Sequence, residues 1–288
     1  MSAYTDQIRH DFKANDDIRD AGLTTPKDVI RYDDIPYGTD SPLPALDLYR
    51  PRALAGRALP VIVSIHGGGW VYGDKERYQY YCMGLAQRGF AVVNFSYRLA
   101  PEYKYPAGME DTNAVFHWVF DNAAAYGLDT GHIFAVGDSA GAHMLAIYSC
   151  ICSNPEYAKA YDFAPPVGFV PTAVALNCGA YIMGSERNAL MAELLPGGGE
   201  AGEIALISPL AHMTADFPPT FVMTSNEDFL KPQAPVLAAR LAELDVPFQY
   251  RYYGGKGVRL GHVFHCDMRS AQGALCNDEE CDFFRRFL

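Results

Sequence analysis

Gly137-Asp138-Ser139-Ala140-Gly141 sets a serine between two glycines, at the end of an apolar run and the start of a helical one. A serine nucleophile must protrude above a sheet, which needs a sharp, strained turn whose flanking residues carry little bulk. The helix that follows aims its first amides at a forming oxyanion. A serine hydroxyl is a weak nucleophile until a base takes its proton. Of eight histidines, His262 and His265 sit on a loop after the last strand candidate. The glycine before His262 favours that residue, with His265 second. The base needs a carboxylate to fix its tautomer. Thr220–Thr224 runs into Glu227 and Asp228, and Asp228 is preferred over Glu227 and over Asp245 at a helix end.

A tetrahedral intermediate also needs donors for its negative oxygen. His66-Gly67-Gly68-Gly69-Trp70 directly follows the strand candidate Leu59–Ile65. Glycines let backbone amides approach a substrate with no side chain between. The amides of Gly68, Gly69 and Ala140 are therefore assigned to an oxyanion hole, where one donor contributes about 3–4 kcal/mol in the transition state. Trp70 and Tyr72, with Tyr78, Tyr80 and Tyr81, are candidates to line a compact substrate pocket. Two glycine runs, Gly197–Gly199 and Gly254–Gly257, lack the strand-to-helix context or spacing of a phosphate cradle. His265-Cys266-Asp267 and Asp278-Glu279-Glu280 are read without a metal, the second as a solvated helix start.

These residues must be held by alternating strands and helices. Apolar patterning predicts strands at 27–37, 44–50, Leu59–Ile65, Ala91–Tyr97, His132–Val136, Val170–Leu176, Thr220–Thr224 and Phe248–Tyr253. Helices are predicted at 1–20, 77–88, 107–126, 140–152, 233–244 and 277–287. The first carries Tyr4, Ile8 and Phe12 at four-residue spacing, and the fifth is expected to turn Val236, Leu237, Leu241 and Leu244 inward. Such alternation calls for a mostly parallel sheet covered on both faces, with ligands at the carboxyl ends of the strands. One domain over residues 1–288 is expected, with a leading helix and a cap-like excursion at about 181–212.

The chain has 288 residues, 49% hydrophobic and 20% charged, which excludes general disorder. Its formal charge of −11 repels phosphate backbones and anionic esters, so nucleic acid is not an expected partner. There is no apolar run long enough for a transmembrane helix and no signal-like amino terminus, so a cytoplasmic location is the expectation. The seven cysteines are read mostly as small core residues.

HGGGW at 66–70, YRLAPE at 97–102 with Pro106, Ala107 and Asp111, GDSAG at 137–141, Asp228-Phe229-Leu230 and Gly261-His262 together resemble the hormone-sensitive-lipase-like esterases. The likeness runs from about residue 59 to the end. It implies an α/β-hydrolase fold and a carboxylesterase with Ser139, Asp228 and His262 as triad and no cofactor. It also implies that the Arg98–Glu102 segment buttresses the site. Ala142 stands where the family often has a further glycine, and HGGGW with a lean cap also resembles smaller bacterial acyl and acetyl esterases. A small-molecule ester with a short acyl group is the expected substrate, and a homodimer through a sheet edge or terminal helix is an assembly common in such folds. The alternatives are an amide or formamide hydrolase on the same triad and a non-catalytic small-molecule binder.

Overall fold

The computed structural model describes residues 2–38, 45–184 and 188–288. Among these, eight strands form one sheet: β1 (Val29–Pro36), β2 (Ala45–Pro51), β3 (Leu59–Ile65), β4 (Ala91–Phe95), β5 (Leu128–Asp138), β6 (Ala173–Asn177), β7 (Thr220–Ser225) and β8 (Phe248–Tyr253). Their order is β1-β2-β4-β3-β5-β6-β7-β8. The first two pairings are antiparallel and the rest parallel, as the strand–helix alternation requires.

Alternate residues of the central strands feed two separate cores. Val61, Val63 and Ile65 of β3 and Ala135 of β5 pack with Val115 and Val119 of helix Ala107–Asp121 and with helix Ala140–Ser153. Ile62, Phe134 and Val136 point the other way, against Met83 and Leu85 of helix Lys75–Gln87 and Phe283 and Phe284 of helix Ala271–Arg285. The period of two along each strand thus covers both faces of the sheet with helices.

Several boundaries move for local reasons. Asp74 caps the second helix by accepting from the Arg77 amide at 2.9 Å, so that helix starts at Lys75 rather than 77. The predicted helix at 107–126 breaks at Asn122, and a short turn Ala123–Tyr126 ends at Gly127 with φ +61°. Ser270 caps the last helix, which opens at Ala271 instead of 277. Val236 does not point inward. It is 43% exposed, while Leu237 and Leu241 are buried.

The leading helix spans Ala3–Asp20 and is tied down by ion pairs from Arg9 to Glu102 and from Asp17 to Arg77. Arg9 grips both oxygens of Glu102 at 2.7 and 2.6 Å and donates to the carbonyls of Val71 and Ala100. The excursion holds three short helices, Ala189–Leu194, Ala201–Leu206 and Pro209–His212. Its residues 185–187 lie outside the described residues, as does residue 44 of the second predicted strand. The Gly197 and Gly199 amides are taken by Glu203, at 2.6 and 3.0 Å. No described helix is long and apolar enough to cross a membrane.

Candidate active site

The parallel strands deliver the site at their carboxyl ends. β3 ends in the loop 66–70, β5 at Ser139, β6 at Asn177-Cys178, β7 at Asp228, and the chain returns after β8 to His262.

Ser139 sits at φ +52°, ψ −118°, a conformation that L residues rarely adopt. The turn is tolerable only because its flanks are bare. A Cβ on Gly141 would lie 2.0 Å from the Ile65 carbonyl oxygen, and one on Gly137 2.6 Å from that of Gly141. Gly141→Ala must therefore push backbone against backbone. We expect a loss of about 2–3 kcal/mol, seen as a lower Tm in thermal melts; an unchanged Tm would refute the packing argument. The Ser139 amide donates to the Asn177 carbonyl at 3.0 Å. Asn177 is held in turn by buried Glu280, which accepts from Asn177 Nδ2 at 2.6 Å and from Tyr81 at 2.9 Å. Burial lifts the Glu280 carboxyl to about 7, against the pull of those two donors.

His262 Nδ1–H donates to Asp228 Oδ1 at 2.7 Å, which leaves Nε2 as the proton acceptor. Asp228 is fully enclosed and its oxygens also accept from Thr224 Oγ1 at 2.7 Å and the Leu230 amide at 2.9 Å. Burial alone would raise this carboxyl; the bonds from His262, Thr224 and Leu230 outweigh it and hold it below the ordinary range. Glu227 instead pairs with Arg259 at the surface. Asp245 lies in the turn after helix Ala234–Glu243. His265 is buried against Tyr81, and desolvation drives it down to about 3. His66 and His143 are likewise buried and pushed down to about 4. The Cys178, Asp228 and His262 donor atoms lie within 4.8 Å of one another, but the Asp228 oxygens are already engaged by three donors.

On the glycine loop, Gly68 has φ +117°, Gly69 φ +61° and Trp70 φ +63°. A Cβ on Gly68 would fall 2.0 Å from the Tyr72 carbonyl oxygen, so only glycine fits. Among the described residues nothing accepts from the amides of Gly68, Gly69 or Ala140. The Gly67 amide is different: it donates to Tyr78 Oη at 3.0 Å, and Tyr78 donates to Asp138 Oδ2 at 2.7 Å. That relay fastens the glycine loop to the serine turn. Tyr78 is read from the sequence as a pocket residue and Asp138 stands inside the serine motif, but the bond that joins them is not announced by either segment.

Two cavities meet at Ser139, and Phe12, Phe229 and His262 border both. One, of about 380 Å³, is walled by Ile8, Trp70, Ile182, Met183, Leu190 and Leu230. The other, of about 270 Å³, is bordered by Asn15, Asp16, Arg19, Tyr72, Tyr78 and Asp138. Trp70 and Tyr72, read together from the sequence, thus belong to different compartments. Trp70 donates its indole N–H to His143 at 3.2 Å, and Tyr72 its hydroxyl to Asp16 at 2.9 Å. Tyr80 and Tyr81 line neither cavity. Their hydroxyls go to the Leu23 carbonyl and to Glu280, because the helix that carries them turns that face to the other core. The leading helix supplies the outer wall of both compartments through Phe12, a part that helical periodicity alone could not assign. The Arg98–Glu102 segment packs behind the loop: Arg98 pairs with Asp111 at 2.9 Å, and Tyr97 donates to the His66 carbonyl at 3.0 Å.

A family model described as alpha/beta hydrolase fold matches residues 62–265. Esterase LipQ of Mycobacterium tuberculosis is 28% identical over 211 residues, which cover 70% of this chain and 50% of that protein. The versiconal hemiacetal acetate esterase of Dothistroma septosporum is 30% identical over 229 residues, 72% of this chain and 69% of that one. The match spans about half the length of esterase LipQ and 57% of the carboxylesterase NlhH of the same organism. Among solved structures, an inhibited esterase B from Lactobacillus rhamnosis superposes with a TM-score of 0.89 at 25% identity, covering 99% of this chain and 96% of that one.

Proposed function

Since this chain belongs to the α/β-hydrolase fold family, we propose that it is a serine carboxylesterase acting on short-chain acyl esters through an acyl-enzyme on Ser139. The observation that carries this reading is the Asp228–His262 pair, fixed at 2.7 Å, whose imidazole borders the same two cavities as Ser139. Both relatives named above are esterases, which agrees with it.

His262 Nε2 takes the Ser139 proton as the hydroxyl oxygen attacks the ester carbonyl. The amides of Gly68, Gly69 and Ala140 receive the oxyanion, and Asp228 stabilises the imidazolium. His262 then gives the proton to the leaving alcohol oxygen, and water activated by the same nitrogen frees the acid. The first cavity, apolar and bordering Ser139, suits the acyl chain, and Ile182, Met183, Leu190 and Met191 of the excursion cap it. A p-nitrophenyl ester series from acetate to decanoate should peak at or below butyrate in kcat/KM. A maximum at decanoate would overturn the short-acyl assignment, and faster cleavage of matched anilides or N-formyl amides would overturn the ester assignment.

A further inference from the structure

The second cavity is the unusual one. Beside an apolar compartment large enough for an acyl chain lies a space of about 270 Å³ whose wall combines Phe12, Phe229 and Val263 with a set of polar side chains that the first compartment lacks. Most of those polar groups are already matched. Arg19 meets Asp16 and Asp20 at 2.8 Å each, and Tyr72 occupies the other Asp16 oxygen. Asp138 is the exception. It is 2% exposed, its Oδ2 accepts from Tyr78, and no described residue donates to Oδ1. Oδ1 is not among the sealed, unpartnered side-chain atoms, and Asp138 contributes to the cavity wall, so this oxygen opens onto the cavity next to the nucleophile. Across the space, Asn15 presents an amide that can both donate and accept.

A buried carboxylate oxygen without a donor is costly, and a hydroxyl is the neutral group that satisfies it. A simple acyl chain has no such group. It belongs in the apolar compartment, which leaves the polar one to the alcohol. Charge narrows the choice further: Asp16 and Asp138 in the wall oppose an anion, and the paired Arg19 beside Asp16 weakens the pull of those carboxylates on a cation. Resting on the esterase reading above, we propose that this compartment selects a hydroxyl-bearing alcohol portion, so that the substrates are short-acyl esters of an uncharged polyol or sugar, with Asp138 Oδ1 accepting from a substrate hydroxyl. Burial lifts the Asp138 carboxyl to about 6, against the bond from Tyr78, so at pH 8 it is ionised and an acceptor only.

The test compares kcat/KM at pH 8 for 1-butyrylglycerol, butyl butyrate and butyrylcholine, which share one acyl group. A hydrogen bond to a charged acceptor predicts about a tenfold preference for 1-butyrylglycerol over butyl butyrate. Asp138→Asn should lower that ratio about fivefold, and Asn15→Leu, on the exposed side of the leading helix, should lower it as well even if the first variant folds poorly. A wild-type ratio at or below one, a preference for butyrylcholine, or a ratio unchanged in both variants overturns the proposal while leaving an esterase in place. Failure to hydrolyse any of the three esters overturns the proposal together with the esterase reading.

Discussion

Ser139→Ala should reduce kcat on p-nitrophenyl acetate by about a million-fold and leave the melting temperature nearly unchanged. The stability half of this expectation follows from what the hydroxyl does not do. Ser139 precedes helix Ala140–Ser153 without capping it through its side chain, and alanine meets the same backbone strain at φ +52°. The bonds that hold the turn, from the Ser139 amide to Asn177 and from the His143 amide to the Ser139 carbonyl, are backbone bonds and survive the change. The activity half follows from the chemistry: with the hydroxyl gone no acyl-enzyme forms, and the oxyanion donors are left with only slow water attack to assist. A fluorophosphonate probe gives an independent reading, because it should label the native chain at Ser139 and leave the variant unlabelled. Activity above about one per cent of native would remove Ser139 from the mechanism, since that residue would then account for less than about 3 kcal/mol of barrier lowering.

How much of this was legible in the sequence depends on how local the determinant is. The serine turn, the glycine loop and the acid after β7 are each written in a few consecutive residues, because a strand, a bare turn and a helix start are short-range features. The mostly parallel sheet was equally legible from the apolar runs that became β3, β4, β5 and β7. Contacts made across long separations were not. Nothing near Tyr78 announces that its hydroxyl bridges Gly67 and Asp138. Tyr81 reads as a pocket residue by proximity to the glycine loop, but helix Lys75–Gln87 turns it to the opposite core, where Glu280, 199 residues later, accepts a hydrogen bond from its hydroxyl. Val236 followed the apolar pattern of its helix yet lies on the exposed side, since the turn that packs on the sheet is set by Leu237 and Leu241. The leading helix shows the same limit: Tyr4, Ile8 and Phe12 announce an apolar face, and only the folded chain puts that face over the cavities.

Asp228→Asn is the second large effect, with kcat expected to fall about ten-thousand-fold. The carboxylate accepts three hydrogen bonds, from His262 Nδ1, Thr224 Oγ1 and the Leu230 amide. A carboxamide of the same shape can keep at most part of that set. One of its two atoms becomes a donor and must face either Thr224 or the imidazole. If it faces His262, the proton moves to Nε2 and the base is lost in that tautomer; if it faces Thr224, the imidazolium still loses the negative charge that stabilised it. Because the interaction is made in the transition state, kcat and kcat/KM should fall together with KM little changed, a pattern that a merely loosened pocket would not produce. Glu227→Gln is the matched control, one residue away, exposed and paired with Arg259, and should leave turnover within a factor of two. Acid stability supplies a further readout. The Asp228 carboxyl is held below its unfolded value of about 3.9, so its contribution is complete above that pH and is lost as pH falls from there through the lower folded value. The variant lacks that titration and should lose less stability than native between pH 5 and 2. A fall in kcat of less than tenfold would strip Asp228 of its role, and a larger effect from Glu227→Gln would transfer that role to its neighbour.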